Sequence, residues 1–264
     1  MRGRTALGLR FSEKRWLAAY RRVIRQVFRT VPFYRERWAL VSRDPVLADE
    51  VQRRRHDLVP LAGGAFAVNP YRGLGPVVSL TGRLSAGALL AVVTDLPPIG
   101  PVPGLAARTR LRCLPPAGFP ANPFDRRFIR TAELISRLAS GERVAVLGPE
   151  IELDRLVDVA SAAATPSLLP LYSAREQVPA HTQPGAVLRD WLLGYLGAFC
   201  DCGRWHLDWR RVYAADTEHG VAFTILPQAS PRLVDVLLAP GLRMRVERCA
   251  EHGTPVLAPV AGNT

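Results

Sequence analysis

Apolar residues recur with a helical period near the start of the chain. From Trp16 to Phe28 they return at three- and four-residue spacing, and arginines occupy most of the positions between them. The pattern predicts a helix over Ser12–Arg29. The helix is expected to end there because Pro32 follows shortly, and the residue that precedes a proline avoids the helical region. Two shorter helices are predicted over Phe33–Leu40 and Pro45–Arg55.

The middle of the chain consists of short apolar runs separated by turn residues, which is the pattern of β-strands. Further along, two helical patterns alternate with two buried strands. This order is typical of a parallel sheet with flanking helices. The predicted strands are Pro76–Leu80, Leu89–Val93, Arg143–Leu147 and Ser167–Leu171, and the predicted helices are Asp125–Ser140 and Ile151–Ala164.

The last third of the chain is rich in strand patterns and poor in helical ones. Four strands are predicted there, namely Trp209–Ala215, Val221–Leu226, Arg232–Leu238 and Leu242–Arg248. The fold class is therefore α/β, with N-terminal helices, a parallel or mixed sheet with flanking helices, and a β-rich subdomain. The predicted segments are 1–57, 58–198 and 199–264.

The net charge of +12 suggests nucleic acid at first, but its composition and location argue against that. Lys14 is the only lysine, and near-total use of arginine reflects coding bias more than phosphate binding. Residues 1–60 hold 15 basic and 6 acidic side chains, whereas the remainder is nearly balanced. The basic helix face is thus a solvated surface or the contact for an anionic partner, such as a phosphate-bearing ligand or an acidic protein.

Composition also limits the compartment. An uncharged run of about 18 apolar residues, as a membrane helix needs, is absent from the sequence. The basic start is not followed by the apolar stretch of a secretory signal. Four cysteines in 264 residues do not form a disulfide scaffold. We therefore expect a cytoplasmic protein without membrane contact.

Two short windows combine cysteine and histidine. The first runs Cys200-Asp201-Cys202-Gly203-Arg204-Trp205-His206, and the second runs Cys249-Ala250-Glu251-His252-Gly253. Cys249-x2-His252 followed by Gly253, and Cys202-x3-His206 with Gly203 inside it, are turns that bring two ligands together, and two such turns complete a tetrahedral zinc site. We predict a closed, structural Zn²⁺ bound by Cys202, His206, Cys249 and His252, with the choice between Cys200 and Cys202 left open.

Three other stretches lie where strands are predicted to end. Gly148-Pro149-Glu150 follows one strand, and Tyr172-Ser173-Ala174-Arg175-Glu176 follows another. The carboxyl ends of parallel strands face the ligand crevice of an α/β sheet. Ser79-Leu80-Thr81-Gly82 combines hydroxyl groups and glycine, which either cradle a phosphate or form an ordinary hairpin turn. It lacks the lysine of a Walker motif.

Together these features resemble the phenylacetate–CoA ligase group of adenylate-forming enzymes. The resemblance covers roughly residues 15–255. The matching stretches, in the family's order, are Val31-Pro32-Phe33-Tyr34-Arg35 after a helix, Gly148-Pro149-Glu150, Tyr172-Ser173-Ala174-Arg175-Glu176, the two Cys/His pairs, and Phe223-Thr224-Ile225-Leu226.

The resemblance implies an α/β enzyme that activates a carboxylic acid with ATP and Mg²⁺ and passes the acyl group to a thiol. Glu176 would hold Mg²⁺, Tyr172 would line the adenine pocket and Arg175 would contact a phosphate. The implied partners are a small carboxylic acid or acyl ligand and a partner or carrier protein, and a homodimer is also allowed. The implied nucleotide-binding residues are Ser79, Thr81, Gly82, Gly148, Glu150, Tyr172 and Ser173, with Arg175 and Glu176 catalytic.

The chain departs from the family pattern at several points. Arg175 stands where the family has threonine, and Leu237-Leu238-Ala239-Pro240-Gly241 lacks the ribose-binding acid. The family's C-terminal domain, which carries a lysine that stabilises charge during adenylation, is expected to be absent. The alternative is a non-catalytic, zinc-stabilised relative that acts as a binding or scaffold subunit. A basic nucleic-acid-binding protein with a zinc module ranks third.

Overall fold

A computed structural model describes the protein at residues 10–40, 44–64, 66, 68–69, 71–81, 89–94, 102, 105, 110–116, 134, 136–137, 144–148, 168–174, 185–227, 230–237 and 244–260, with the backbone alone at 168–174. These residues form a mixed α/β protein. The chain divides into two compact units, one made of residues 1–68 and 209–264 and the other of residues 69–208. The predicted first and last segments thus fall mainly in one unit.

The elements are numbered in chain order. The helices are α1 (Glu13–Thr30), α2 (Pro32–Leu40), α3 (Ala48–Arg53) and α4 (Leu74–Leu80), with a 3-10 helix at Arg55–Leu58. The strands are β1 (Val46–Leu47), β2 (Leu89–Val93), β3 (Arg110–Leu114), β4 (Val144–Gly148), β5 (Leu168–Ala174), β6 (Val187–Asp190), β7 (Gly194–Phe199), β8 (Trp205–Leu207), β9 (Val212–Thr217), β10 (Gly220–Ile225), β11 (Val236–Leu237), β12 (Met244–Arg248) and β13 (Pro255–Pro259).

Helix α1 agrees with the sequence prediction to within one residue. The side chain of Ser12 caps it by accepting the backbone N–H of Arg15 at 3.4 Å. Trp16 lies on the buried face, and its indole N–H donates to the carbonyl of Val212 at 2.9 Å. The amphipathic pattern thus anchors α1 to β9. No helix among the described residues is long and apolar enough to cross a membrane.

The single helix predicted over Pro45–Arg55 is wrong in extent. Val46 instead pairs with Val236 in a short parallel ladder between β1 and β11. Helix α3 follows, and it ends because Arg54 leaves helical geometry at φ −109° and ψ 26°. The strand pairing, which is a contact distant in sequence, overrides the local helical pattern.

The unit made of residues 1–68 and 209–264 contains a four-stranded sheet in the order β1-β11-β10-β9. Strands β9 and β10 lie where the strands Trp209–Ala215 and Val221–Leu226 are predicted, and they form an antiparallel hairpin with Ala215 opposite Ala222. Strands β12 and β13 form a second antiparallel hairpin. Within the described part of the predicted strand Arg232–Leu238, the paired strand is β11, and Asp235 just before it adopts φ +50°.

The unit made of residues 69–208 contains the predicted parallel sheet. Strands β3, β2, β4, β5 and β6 are neighbours in that order and run parallel, and β7 and β8 continue the sheet antiparallel. Strands β2 and β4 are buried at every position, as expected of strands covered on both faces. Alternate residues of β2 enter two separate apolar clusters, with Leu90 in one and Leu89 in the other.

The strand predicted over Pro76–Leu80 is a helix in the structure. Gly73 adopts φ +80°, which turns the chain into α4, and Pro76 lies in the first turn, where its missing N–H leaves no hydrogen bond unmade. Leu74, Val77 and Val78 are fully buried in the cluster that covers one face of β2. A short apolar run fits a strand and a buried helix equally well, so packing decided between them.

Candidate metal centre

The first Cys/His turn joins β7 to β8. The N–H of Cys200 donates to the carbonyl of Arg204 at 3.0 Å, and the N–H of Gly203 donates back to the carbonyl of Cys200 at 3.0 Å. Gly203 adopts φ +72°, a conformation that glycine adopts without steric strain. The tight turn brings Cys202 to His206, whose Nε2 atom lies 3.0 Å from the cysteine Sγ.

The second turn joins β12 to β13 and is likewise closed by backbone hydrogen bonds of a cysteine and a glycine. The N–H of Cys249 donates to the carbonyl of Thr254 at 2.9 Å, and the N–H of Gly253 donates to the carbonyl of Cys249 at 2.8 Å. Here the Nδ1 atom of His252 lies 3.5 Å from Sγ of Cys249. The backbone N–H of His252 points at the same sulfur at 3.4 Å, which stabilises a thiolate.

The four predicted ligands converge. The Sγ atoms of Cys202 and Cys249 and the ring nitrogens of His206 and His252 all lie within 4.8 Å of one another. A tetrahedral zinc with bonds of about 2.3 Å to sulfur and about 2.0 Å to nitrogen holds its ligand atoms roughly 3.3–3.8 Å apart. The ligand atoms are therefore already close to these separations, and small shifts of the side chains alone would complete the coordination sphere. The residues present fit a Cys2His2 metal site.

The structure separates the two cysteines of the first turn. The Sγ of Cys200 faces the carbonyls of Leu80, at 3.4 Å, and Ala198, at 3.8 Å. It is not a member of the converging group, whereas Cys202 is. The sequence left this choice open, because both cysteines precede His206 at spacings that a turn can close.

Burial supports a structural site. His206 and Cys249 are each 5% exposed, Cys202 is half-buried and His252 is exposed. A cluster of thiols and imidazoles with one buried member of each kind is well suited to a bound cation, which favours the thiolate and the neutral ring. The exposed histidine leaves one side through which a metal ion can enter. Four protein ligands leave no position for a reactive water.

One supporting residue has no signal in the motif. The Nε of Arg248 donates to the carbonyl of Gly253 at 3.1 Å, across the turn that carries Cys249 and His252. Its guanidinium also comes within 3.4 Å of where a Cβ on Gly253 would lie. The arginine therefore braces the backbone of the second turn. It stands next to Cys249 in the sequence, but only the folded turn shows that the two ends meet.

The predicted nucleotide-binding stretches meet in part at the carboxyl edge of the parallel sheet. Gly148, the last residue of β4, is the register partner of Tyr172 in β5. Ser173 follows in the same strand and pairs with Val187 of β6. Two of the three stretches therefore lie side by side where ligands bind to α/β sheets. The predicted site residues Gly82, Glu150, Arg175 and Glu176 lie outside the described residues.

The third stretch does not form the expected loop after a strand. The hydroxyl of Ser79 donates to the carbonyl of Gly75 at 2.9 Å. The hydroxyl of Thr81 donates to the carbonyl of Val78 at 2.6 Å. Thr81 is also buried. Both hydroxyl groups bond to carbonyls of α4 itself, so each serves the helix in this conformation.

A buried polar group at the same carboxyl edge had no sequence signal. The group consists of the buried residues Tyr71, Thr94, which follows β2, and Cys113, which lies in β3. The hydroxyl of Tyr71 lies 3.9 Å from the Cys113 sulfur. Burial raises the pKa of Tyr71 above its ordinary value, and burial likewise raises the pKa of the neighbouring Tyr195 to about 12. Both phenols are therefore neutral at physiological pH. Tyr71 is thus an internal polar group of the sheet, in contact with the Cys113 sulfur.

Comparison with known proteins adds no family assignment. No protein-family model matches the sequence, and no curated protein matches it either. The metal centre is defined by its geometry and donor chemistry. The likeness to adenylate-forming enzymes depends on the motifs quoted above and on the part of them that the described residues include.

Proposed function

We propose that this chain is a zinc-stabilised α/β protein whose Cys202, His206, Cys249 and His252 hold one structural Zn²⁺. The observation that carries the proposal is the convergence of all four ligand atoms within 4.8 Å. Two thiolates and two imidazoles suit zinc better than calcium or magnesium, which take oxygen ligands. Bound there, the ion takes one sulfur and one nitrogen ligand from each turn.

Metal content tests this proposal. Protein purified in zinc-supplemented medium should contain close to one zinc per chain by elemental analysis. Cys249→Ser should lower that content strongly, because it removes a buried ligand. Cys200→Ser is the matched control, since it also replaces a cysteine sulfur, two residues beyond Ala198, the strand partner of His206, but outside the ligand group. Equal zinc loss in both variants, or none in either, would contradict the assignment.

A second function follows from the carboxyl edge of the parallel sheet. We propose that this edge binds a nucleotide and a carboxylic acid, as in the adenylate-forming enzymes that the motifs resemble. The pairing of Gly148 with Tyr172 supports it, since two motif stretches adjoin at the usual ligand-binding end of such a sheet. On this proposal Glu176 holds Mg²⁺, Arg175 contacts a phosphate and Tyr172 lies against the adenine.

Nucleotide titration separates this activity from its alternative. Millimolar Mg²⁺·ATP should raise the unfolding temperature of the zinc-loaded chain, because a ligand that binds only the native state stabilises it. Carboxylate-dependent pyrophosphate release should then disappear in Glu176→Gln. If zinc is present and neither response occurs, the ligase proposal fails. The non-catalytic relative, acting as a binding or scaffold subunit, is then the function that remains.

A further inference from the structure

Three arginines form a row on the exposed face of α1. Arg22, Arg25 and Arg29 are all exposed, and they follow one another at three- and four-residue spacing, so they share one side of the helix. They line a shallow depression of about 390 Å³ together with Gln26 and Thr30. We call these three side chains the arginine row.

The arginine row has no acidic counterpart within the part of the chain that the structure describes. None of its side chains takes part in an ion pair or a side-chain hydrogen bond there. Glu13, at the far end of α1, is the helix's only acidic residue. Like charges at these spacings destabilise a helix. A partner that supplies carboxylates would relieve this repulsion.

An apolar groove adjoins the arginine row. It has a volume of about 460 Å³ and is lined by Pro32, Ala39, Leu40 and Leu61, with Arg35 and Glu36 also at its wall. Leu40 is 77% exposed and Leu61 is 67% exposed. These are two of only five large apolar side chains found exposed among the described residues. We call the surface of Pro32, Ala39, Leu40 and Leu61 the apolar groove.

The arginine row and the apolar groove meet at the junction of α1 and α2. The N–H of Leu61 donates to the carbonyl of Thr30 at 2.7 Å, so a residue of the groove is bonded to a residue of the depression beside the row. Glu36, the acid at the groove, is already paired with Arg54 at 2.5 Å. Arg35, which is exposed, therefore adds a positive charge at the groove without a described ion-pair partner.

We propose that this joint surface docks an acidic protein segment that carries apolar side chains. Charge complementarity selects the acidic residues, which would face the arginine row, and a bulky apolar side chain would enter the groove. Nucleic acid would use the arginines but leave the groove empty. A flat bilayer does not fill a concave surface as an inserted side chain does. The first nine residues of the chain hold two arginines and no acid, so they do not complement the row.

The spacing of the row sets the form of the partner. Arg22 and Arg29 are separated by about two helical turns, or roughly 10 Å along the axis. A partner helix with glutamates or aspartates three and four residues apart would match that spacing. Its apolar residues would then lie on the stripe beside the acids, toward the groove. This interaction does not depend on the metal centre or on nucleotide binding.

Selection of a phage-displayed random peptide library on the full zinc-loaded chain tests the proposal. The enriched peptides should combine Asp or Glu with large apolar residues. Affinity of the best peptide should then be measured for three variants of the chain. The first reverses the arginine row with Arg22→Glu, Arg25→Glu and Arg29→Glu. The second removes apolar surface from the groove with Leu40→Gln and Leu61→Gln. The third, a control, makes the same change in net charge with Arg10→Glu, Lys14→Glu and Arg15→Glu, at the opposite end of α1.

The row variant should weaken binding by about tenfold or more, since three exposed pairs are replaced by repulsive ones. The groove variant should weaken it too, whereas the control should change it by less than about threefold, as expected of distant screened charges. Unfolding curves show whether each variant folds. If a charge-reversal variant fails to fold, the test is repeated with neutral Arg→Gln replacements at the same positions.

Several results would overturn the proposal. Enriched peptides without acidic residues would do so, as would peptides that bind the row variant and the wild type equally. Random-sequence duplex DNA and vesicles of phosphatidylcholine with phosphatidylserine are measured in parallel. Tight binding of either one that the row reversal abolishes, without any effect on peptides, would assign the surface to that anion instead.

Discussion

Replacing Cys249 by serine should convert a zinc-dependent stability into a zinc-independent one. A metal held by the four ligands would join the two sides of the stretch from His206 to Cys249. Treated like any other cross-link, closing a loop of that length lowers the entropy of the unfolded chain by an amount worth about 4 kcal/mol. At about 2–4 °C per kcal/mol for a chain of this size, the variant should unfold about 8–16 °C below the wild type.

The assay is thermal unfolding of wild type, Cys249→Ser and Cys200→Ser, each with zinc and after exhaustive chelation. With zinc, only Cys249→Ser should unfold at the lower temperature, since Cys200 lies outside the ligand group. After chelation, wild type should fall to nearly the level of Cys249→Ser, because the metal no longer acts in either protein. A difference between them that is equally large with and without zinc would refute the reasoning, since it would come from the lost buried sulfur alone.

Three other perturbations test the surroundings of the site and the sheet. Gly197→Ala should destabilise the protein severely and lower its zinc affinity, because the added Cβ would collide with the carbonyl oxygen of His206. The control is Gly203→Ala, whose Cβ would meet open space at φ +72°. It should lower the free energy of unfolding in urea by only about 1 kcal/mol. Thr81→Val should lower the free energy of unfolding by about 1 kcal/mol through its lost hydrogen bond, and leave Mg²⁺·ATP affinity unchanged. Burial raises the pKa of Tyr195 to about 12, so the folded state holds the phenol proton more tightly than the unfolded chain does. The resulting contribution to the free energy of unfolding is full below pH 10 and is lost between about pH 10 and 12. Tyr195→Phe should flatten this alkaline decline in a urea-unfolding series.

Local patterns were sufficient where each element's burial follows from its own sequence. Helix α1 places Trp16, Val23 and Val27 on one side, and the period of its apolar residues gave both its type and its ends. Strands β2 and β4 are continuous apolar runs, which is typical of strands covered on both faces. The metal ligands were predictable for a similar reason, because each pair lies within one short turn.

Patterns failed where distant contacts decide the structure. The run Pro76–Leu80 looks like a strand, but its burial against one face of β2 fixes a helix. Val46 belongs to a strand because Val236 pairs with it. The choice between Cys200 and Cys202 likewise depended on which sulfur faces the second turn. None of these contacts is visible in the neighbouring sequence.

The docking surface shows a similar division. The arginines of α1 were visible in the sequence as a basic face, and an acidic protein was one of the partners they suggested. What the sequence could not show was that Leu40 and Leu61 remain exposed beside Pro32. That juxtaposition turns a general preference for anions into a preference for acidic segments with apolar side chains.

X-ray absorption spectroscopy at the zinc edge tests the central claim most directly. Two thiolates and two imidazoles predict a four-coordinate shell, with two sulfur atoms at about 2.3 Å and two nitrogen atoms at about 2.0 Å. In Cys249→Ser any residual zinc should lose a sulfur neighbour, whereas Cys200→Ser should leave the shell unchanged. A shell of oxygen and nitrogen without sulfur, or one that loses sulfur in Cys200→Ser, would contradict the assignment of Cys202, His206, Cys249 and His252 as the ligands.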